Sequence, residues 1–374
     1  MPRLVILLDT TVLWTDPWLE APDVRALLTL HRHKVSVLIP NVVLLEHERH
    51  VREEVTTNIK ATMRSLGKLS RLTGRMFPNP VHDLDSAQAA KHYAQEMRRR
   101  LEAGGAILLA TPAVSHDELA NRAIHRRKPF DNAGRGYRDA LIWYSAMEFI
   151  DTIDGGDNVQ FICVTNNTAD FGDEKGDLHP ELRDEVVARR NDIEVSALLT
   201  RTVDEVWSKH LARIAPRSQE LERNLGSGRI REVDLKEWIA RYGAKALAGR
   251  SFGGATTALG VLDQFGPVVF AITTVHSLDS PQVRRLPDGE LHVRFSAVFK
   301  GLCDIYRFNP QGDDEDEGRN PFSDDRDWSE VSTGEGTFRA HFSLLIDSDG
   351  RSVVASDGQP ERIESATRDV ERCD

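Results

Sequence analysis

Four acidic side chains stand where they could share a divalent cation: Asp9, Glu46, Asp139 and Asp170. Asp9 ends the apolar run Leu4–Leu8. Glu46 follows Val42-Val43-Leu44-Leu45, just after Pro40. Asp139 opens the apolar segment Tyr137–Ile150, and Asp170 follows the run Gln160–Thr165. Asp173, three residues further on, could replace Asp170 or join it as a ligand. Carboxylates gathered in one cleft repel one another, and a bound cation relieves that repulsion. Hard oxygen donors with no Cys or His among them select Mg2+ or Mn2+ over zinc. Such ions ionise water near neutral pH and stabilise charge on a phosphoryl group, so the expected chemistry is phosphodiester hydrolysis by a metal-activated water.

The elements that must position these acids can be read from the pattern around them. Leu4–Leu8, Val35–Ile39, Gln160–Thr165 and Ile193–Leu198 read as strands buried on both faces, the habit of a parallel sheet. Ala106–Ala110 reads as a short strand or a buried loop. Helical segments alternate with these runs: one capped by Asn41 and reaching about Leu72, one over Ser86–Glu102, one opened by the Ser115/Glu118 capping box and ending near Ile124, and Tyr137–Ile150. Alternation of this kind predicts a three-layer α/β/α domain with a central parallel sheet. Strand C-termini then share one rim, where the following helices begin, so Asp9, Glu46 and Asp170 reach that rim. The helix carrying Asp139 runs antiparallel to the strand after it and starts at the same rim.

Beyond Arg213 the pattern changes. Helical stretches at about 216–225 and 232–248 precede Gly253-Gly254. Val268–Val275, Leu291–Phe299 and Phe338–Leu344 then read as half-solvated antiparallel sheet, interrupted by an acidic loop at about Asn309–Asp327. The expected division is residues 1–213, a helical bridge at 214–254, and a β-rich C-terminal domain at 255–374.

The segments LVILLDTTVL, P-N-V-V-L-L-E, G-Y-R-D-A-L-I-W and V-T-N-N-T-A-D-F together resemble the PIN-domain nucleases, and most closely a bacterial subgroup with an F/Y-R-D-A-L-I-W helix. The resemblance covers roughly residues 1–205. It implies a metal-dependent endonuclease, usually acting on RNA, with Mg2+ or Mn2+ as cofactor. It places Asp9, Glu46, Asp139 and Asp170 at the family's acidic positions. Thr11 falls at the small polar position two after the first Asp, and Thr165 and Asn167 at the polar positions beside the last strand. The stretch between Glu46 and Asp139 is longer than in the compact toxins of the family. Two rival readings stay open: a catalytically degenerate scaffold that binds protein or nucleic acid, and a nuclease directed at DNA in defence.

The charge of the chain looks unsuited to a nucleic-acid partner, at −11 overall. Its distribution changes that view. Residues 49–138 hold 17 Lys and Arg against 9 Asp and Glu, a net of +8, whereas residues 221–374 hold 19 against 27. Lys60, Arg64, Lys68, Arg71 and Arg75 recur every three or four residues as one stripe on the helix that starts at Asn41, and with Arg138 they are candidate phosphate contacts. Single-stranded RNA is the expected substrate, with a homodimer and a protein partner for the C-terminal domain as open options.

Several classes are excluded or disfavoured. Hydrophobic residues make up 40% and charged residues 29%, which rules out wholesale disorder. Cys163, Cys303 and Cys373 are too few and scattered for a disulfide framework, and Cys163 reads as a buried structural thiol. Trp143 reads as core. His31, His33, His47 and His50 lack metal spacing and read as surface residues. The cluster Asp313–Glu317 lacks an EF-hand's Gly and closing Glu, and Gly253-Gly254 lacks the Lys-Ser/Thr of a phosphate loop. With no signal segment and no run of about 18 apolar residues, a soluble cytoplasmic protein is expected.

Overall fold

A computed structural model of the chain describes residues 2–14, 16, 18–154, 158–189, 194–211, 214–225, 228–248, 250, 252, 268–308 and 328–368. Gly253-Gly254, the acidic cluster Asp313–Glu317 with the rest of 309–327, and Cys373 lie outside the described residues. The chain divides into two compact units, Met1–Leu211 and Ala212–Asp374.

The first unit is built on five parallel strands: β1 (Arg3–Leu8), β2 (Val35–Pro40), β3 (Ile107–Leu109), β4 (Val159–Val164) and β5 (Val195–Thr200). They lie in the order β3-β2-β1-β4-β5. β1 is central, paired through Leu4↔Val35 on one side and Leu4↔Gln160 on the other. Val5, Ile6, Leu7, Val37, Leu38, Phe161 and Ile162 are all fully buried, as a strand covered by helices on both faces requires. The chain winds outward from β1 in both directions, so a crevice opens at the strand C-termini between β1 and β4.

The connecting helices are α1 (Thr10–Leu13), α2 (Pro22–Thr29), α3 (Asn41–Thr73), α4 (Ser86–Gly104), α5 (His116–Ile124), α6 (Tyr137–Asp151), α7 (Thr168–Phe171), α8 (Pro180–Arg189) and α9 (Val203–Lys209). Ser115 caps α5 as its sequence implies, accepting from the Glu118 amide at 3.1 Å. Asn41 does not cap α3. Pro40, locked in extended backbone, takes the cap position, and Asn41 becomes the first helical residue. Its side chain instead bonds Thr111 and accepts from Arg98.

α3 has 33 residues, about 50 Å of helix. Its fully buried residues are Val42, Val43, Leu44 and His47, all in the first two turns; the remainder pairs with α4 through half-buried positions such as Val55, Ile59 and Leu66. The helix ends at Gly74, whose φ of 65° stops it, so Arg75 lies past the helix rather than on its stripe.

The second unit is an up-and-down antiparallel sheet of β8 (Val268–Arg285), β9 (Leu291–Phe308), β10 (Trp328–Ile346) and β11 (Val353–Arg368), in the order β11-β10-β9-β8. Before it come α10 (Gln219–Leu225), the two-residue strands β6 (Arg229–Ile230) and β7 (Val233–Asp234), and α11 (Leu235–Trp238). A single π-helical stretch, Ile239–Gly243, joins α11 to α12 (Ala244–Ala246). Leu225, Trp238, Ile239 and Leu247 from these helices share one core with Phe295, Phe299, Phe338 and Phe342 of the sheet. The alternating residues Leu291, Val293, Phe295, Ala297 and Phe299 face this core as their spacing predicts.

Two expectations change. The strands are much longer than their apolar centres, and β11, with few apolar residues, has no comparable pattern. The other face of β9 is also more covered than a half-solvated sheet implies: His292 and Ser296 are buried, paired across to Ser343 at 3.2 Å and His341 at 2.8 Å. Both edge strands carry a proline, Pro281 in β8 and Pro360 in β11. Near Pro281 the ladder is irregular, and the β8 edge is engaged by Ser218 and Glu222 at Val283.

Candidate active site

Asp9 is the last residue before α1, at the end of the central strand, and is only 3% exposed. Burial is the main force pushing its carboxyl above the ordinary carboxylate range, with Glu46 adding to it; hydrogen bonds from Thr165 and Thr11 work the other way. Those hydroxyls donate to the same Asp9 Oδ2, at 2.7 and 2.9 Å. The Asn166 amide donates to Thr11 and the Asn167 amide to Thr165, so the turn after β4 is tied to Asp9 through two hydroxyls. These contacts span the crevice between β1 and β4.

Glu46 lies in the second turn of α3 and is held from two sides. Thr10 Oγ1 donates to it at 2.6 Å, and Arg138 pairs with its other oxygen. Thr10 is a site residue that the pattern does not single out; its only sequence signal is adjacency to Asp9.

Asp139 is the third residue of α6. Burial, then the charges of Asp170, Asp9 and Glu46 in that order, push its carboxyl up to about 6. The four acids therefore lie close enough to act on one another. Asn167 Nδ2 stands between two of them, donating to Asp170 at 2.6 Å and to Asp139 at 3.4 Å.

Gly136 sets the start of α6. Its φ is 126°, and a Cβ there would lie 2.5 Å from the Pro129 carbonyl oxygen. Only glycine fits this approach without a shift in the backbone. Behind the site, α6 is anchored by a buried ion pair. Arg122, 3% exposed, donates to both oxygens of Glu185 and to the Tyr144 hydroxyl, and the Trp143 indole donates to Glu185 as well. Trp143 is fully buried against Phe161, which makes it core.

Asp173 is not drawn into the group. It closes its own loop, with Oδ1 accepting the Lys175 and Asp177 amides at 2.9 Å each. His47 departs from the surface reading: it is 1% exposed, packed against Trp14 and Tyr93, and burial and the neighbouring His50 bring its pKa down to about 4. Cys163 is buried, and desolvation followed by Asp9 and Asp139 pushes its thiol well up, so it is no thiolate nucleophile.

The basic residues fall into two sets. Lys60, Arg64, Lys68 and Arg71 are exposed along α3. Fourteen residues bring a helix back to within about 40° of its starting face, so Lys60 shares the Glu46 side of α3, about 21 Å away, with Arg71 about 37 Å away. Elsewhere in the +8 segment, Arg99 and Arg100 pair with Glu96, Arg122 with Glu185, Arg135 with Asp131, and Arg138 with Glu46.

The donors suit a hard divalent cation: four carboxylates flanked by hydroxyls and an amide, with no thiol or imidazole ligand among them. Among the described residues no three His, Cys, Asp or Glu side chains already enclose an ion position. The hydrogen bonds explain this, because Arg138 and Thr10 hold Glu46, while Asn167 occupies the space between Asp139 and Asp170. Among the described residues no helix is long and apolar enough to cross a membrane.

No curated protein and no solved structure matches the chain. Residues 6–171, from β1 to the end of α7 and including all four clustered acids, match the family model of the PIN domain, a family typically of nucleases.

Proposed function

We propose that the first unit is a Mg2+- or Mn2+-dependent endonuclease that hydrolyses phosphodiester bonds of single-stranded RNA. The observation that supports this best is the gathering of Asp9, Glu46, Asp139 and Asp170 from four separate elements at one crevice, where burial, then the charges of Asp170, Asp9 and Glu46, push Asp139 up to about 6. A fold tolerates such crowding at neutral pH when cations are meant to sit there.

These four residues would hold the metal, which supplies an activated water and charge stabilisation at phosphorus. Thr11 and Thr165 fix the orientation of Asp9. Asn167 sets the separation of Asp139 and Asp170. Arg138 neutralises Glu46 and is placed to exchange that partner for a substrate phosphate. Lys60, Arg64, Lys68 and Arg71 then guide the strand along α3 toward Glu46 by phosphate contacts that carry no sequence preference.

The test is cleavage of labelled single-stranded RNA and DNA with Mn2+, Mg2+ or EDTA. RNA cleavage that needs the metal and is lost in Asp9→Asn and Asp139→Asn is the expected result. Cleavage surviving EDTA or both substitutions overturns the mechanism. DNA cleavage alone reassigns the substrate, and no cleavage of either favours a binding scaffold. Replacing Lys60, Arg64, Lys68 and Arg71 by Glu should raise KM and flatten the salt dependence by about 0.7 in log–log slope for each phosphate no longer neutralised.

A further inference from the structure

An aromatic group is built on the elements that carry Asp9 and Glu46. Trp14 follows α1 at once, a single short helix after Asp9. Its ring sits 5.4 Å from that of His47 and 5.3 Å from that of His50, the residues one and four places after Glu46 on α3. Asp9 and Trp14 thus stand at the two ends of one four-residue helix, whose Thr10 donates to Glu46 at 2.6 Å. The group continues through His47, nearly parallel to Tyr93 at 6.3 Å, and through Tyr93 edge-on to Trp18 at 5.0 Å. Arg100 stacks over Trp18 at 5.3 Å and donates to the Trp18 carbonyl at 2.6 Å.

The two ends of this group differ from its middle. His47 and Tyr93 are buried, whereas Trp14 is 37% and Trp18 is 40% exposed. Rings anchored on one side and open on the other have a fixed orientation, so a flat partner stacks on them at little entropic cost. Arg100 lies over Trp18 while pairing with Glu96 and Glu20, and Arg138 pairs with Glu46, so each of these cations already has an acidic partner. The exposed rings offer a face to a flat partner, and a strand whose phosphate takes the place of Glu46 on Arg138 brings such partners with it.

We propose that Trp14 and Trp18 form a stacking platform for unpaired bases flanking the scissile phosphate, so that the substrate is recognised by its splayed bases as well as its backbone. The proposal rests on the nuclease reading for its choice of ligand. A base-paired duplex cannot offer these faces, which makes the platform a selector for single strands.

The test uses the full chain carrying Asp139→Asn, so that binding is read without cleavage. The probe is an oligoadenylate of about 12 nucleotides, set against the same length with abasic positions. Trp143, Trp207 and Trp238 are buried while Trp14 and Trp18 are exposed, and the quenching lost in Trp14→Leu and Trp18→Leu is the part read at the platform. The expected result is fluorescence quenching by the base-bearing oligonucleotide and about 5- to 100-fold weaker binding in Trp14→Leu, with Trp14→Phe recovering most of it. The abasic oligonucleotide should bind the parent and Trp14→Leu equally. Thermal melting identifies a variant that has lost its fold; the parent's preference for bases over abasic positions then decides by itself. Equal binding of base-bearing and abasic probes by the parent overturns the proposal, as does full-affinity binding by folded Trp14→Leu. Metal-dependent cleavage without base dependence removes the platform and leaves the nuclease, whereas base-dependent quenching without cleavage of any substrate by the unmutated chain does the reverse.

Discussion

Asp139 carries the conflict between folding and function most openly. Its raised carboxyl means that ionisation at neutral pH works against the folded state, by about 3 kcal/mol at most. Asp139→Asn should therefore melt at a higher temperature than the parent in EDTA, and gain less from added Mn2+, while losing cleavage. Scanning calorimetry with and without metal measures both effects.

His47 acts in the opposite sense. Its folded pKa of about 4 lies below the ordinary 6.5, so the unfolded chain binds the extra proton first and stability rises as pH climbs from about 4 to 6.5. Asp139, raised from 3.8 to about 6, makes stability fall over nearly the same window. In metal-free parent protein the two slopes oppose each other. In Asp139→Asn one of the two raised carboxyls opposing the His47 slope is gone while Asp9 remains, so stability should rise more steeply between pH 4 and 6.5 than in the parent; denaturant melts across pH would show it. At this scale much of the site was legible. Asp9, Glu46, Asp139 and Asp170 announce themselves by standing at the ends of apolar runs. Thr10, His47 and Trp14 do not, because their roles come from pairings across 36, 46 and 33 positions that no local pattern encodes. Asp173 is a possible substitute or companion for Asp170 in sequence; its loop amides hold its carboxylate in its own turn.

Elements hold the acids in place through a few unforgiving contacts. Gly136→Ala puts a methyl group against the Pro129 carbonyl and displaces the first turn of α6, which bears Arg138 and Asp139. A displacement near 1 Å at a reacting group costs about 100-fold, so kcat should fall about 10- to 100-fold in a protein that still folds, as steady-state kinetics with circular dichroism would show. Arg122→Ala leaves the half-buried Glu185 with the Trp143 indole as its donor and should cost about 1–3 kcal/mol in urea denaturation, whereas Arg122→Met with Glu185→Leu should recover much of that loss. Legibility differs here too. β1, β2 and β4 are continuous apolar runs and declare themselves. β11 pairs along its length through backbone hydrogen bonds while its residues, such as Asp357-Gly358-Gln359-Pro360, carry little strand preference, so its neighbour specifies it more than its own composition does.

At the scale of the whole molecule each unit has a hydrophobic core of its own among the described residues, one around the parallel sheet, with a smaller cluster at Leu119, Phe130, Ala140 and Tyr144, and one between α10–α12 and the meander. Calorimetry should accordingly resolve two unfolding transitions, and Mn2+ should shift only the one belonging to residues 1–211. The overall charge of −11 conceals the same division, because the acidic excess is concentrated in the unit without the clustered carboxylates. The prolines on β8 and β11 bear on what that unit can do. Each removes an amide from the rim of the sheet at its own position, and Ser218 and Glu222 occupy the β8 rim further along. A visiting strand finds an interrupted template on both sides, so runaway strand-to-strand association is discouraged. Whatever recognises this unit must therefore read its side chains and the shape of its faces, which gives the C-terminal half a vocabulary of surface chemistry instead of backbone mimicry.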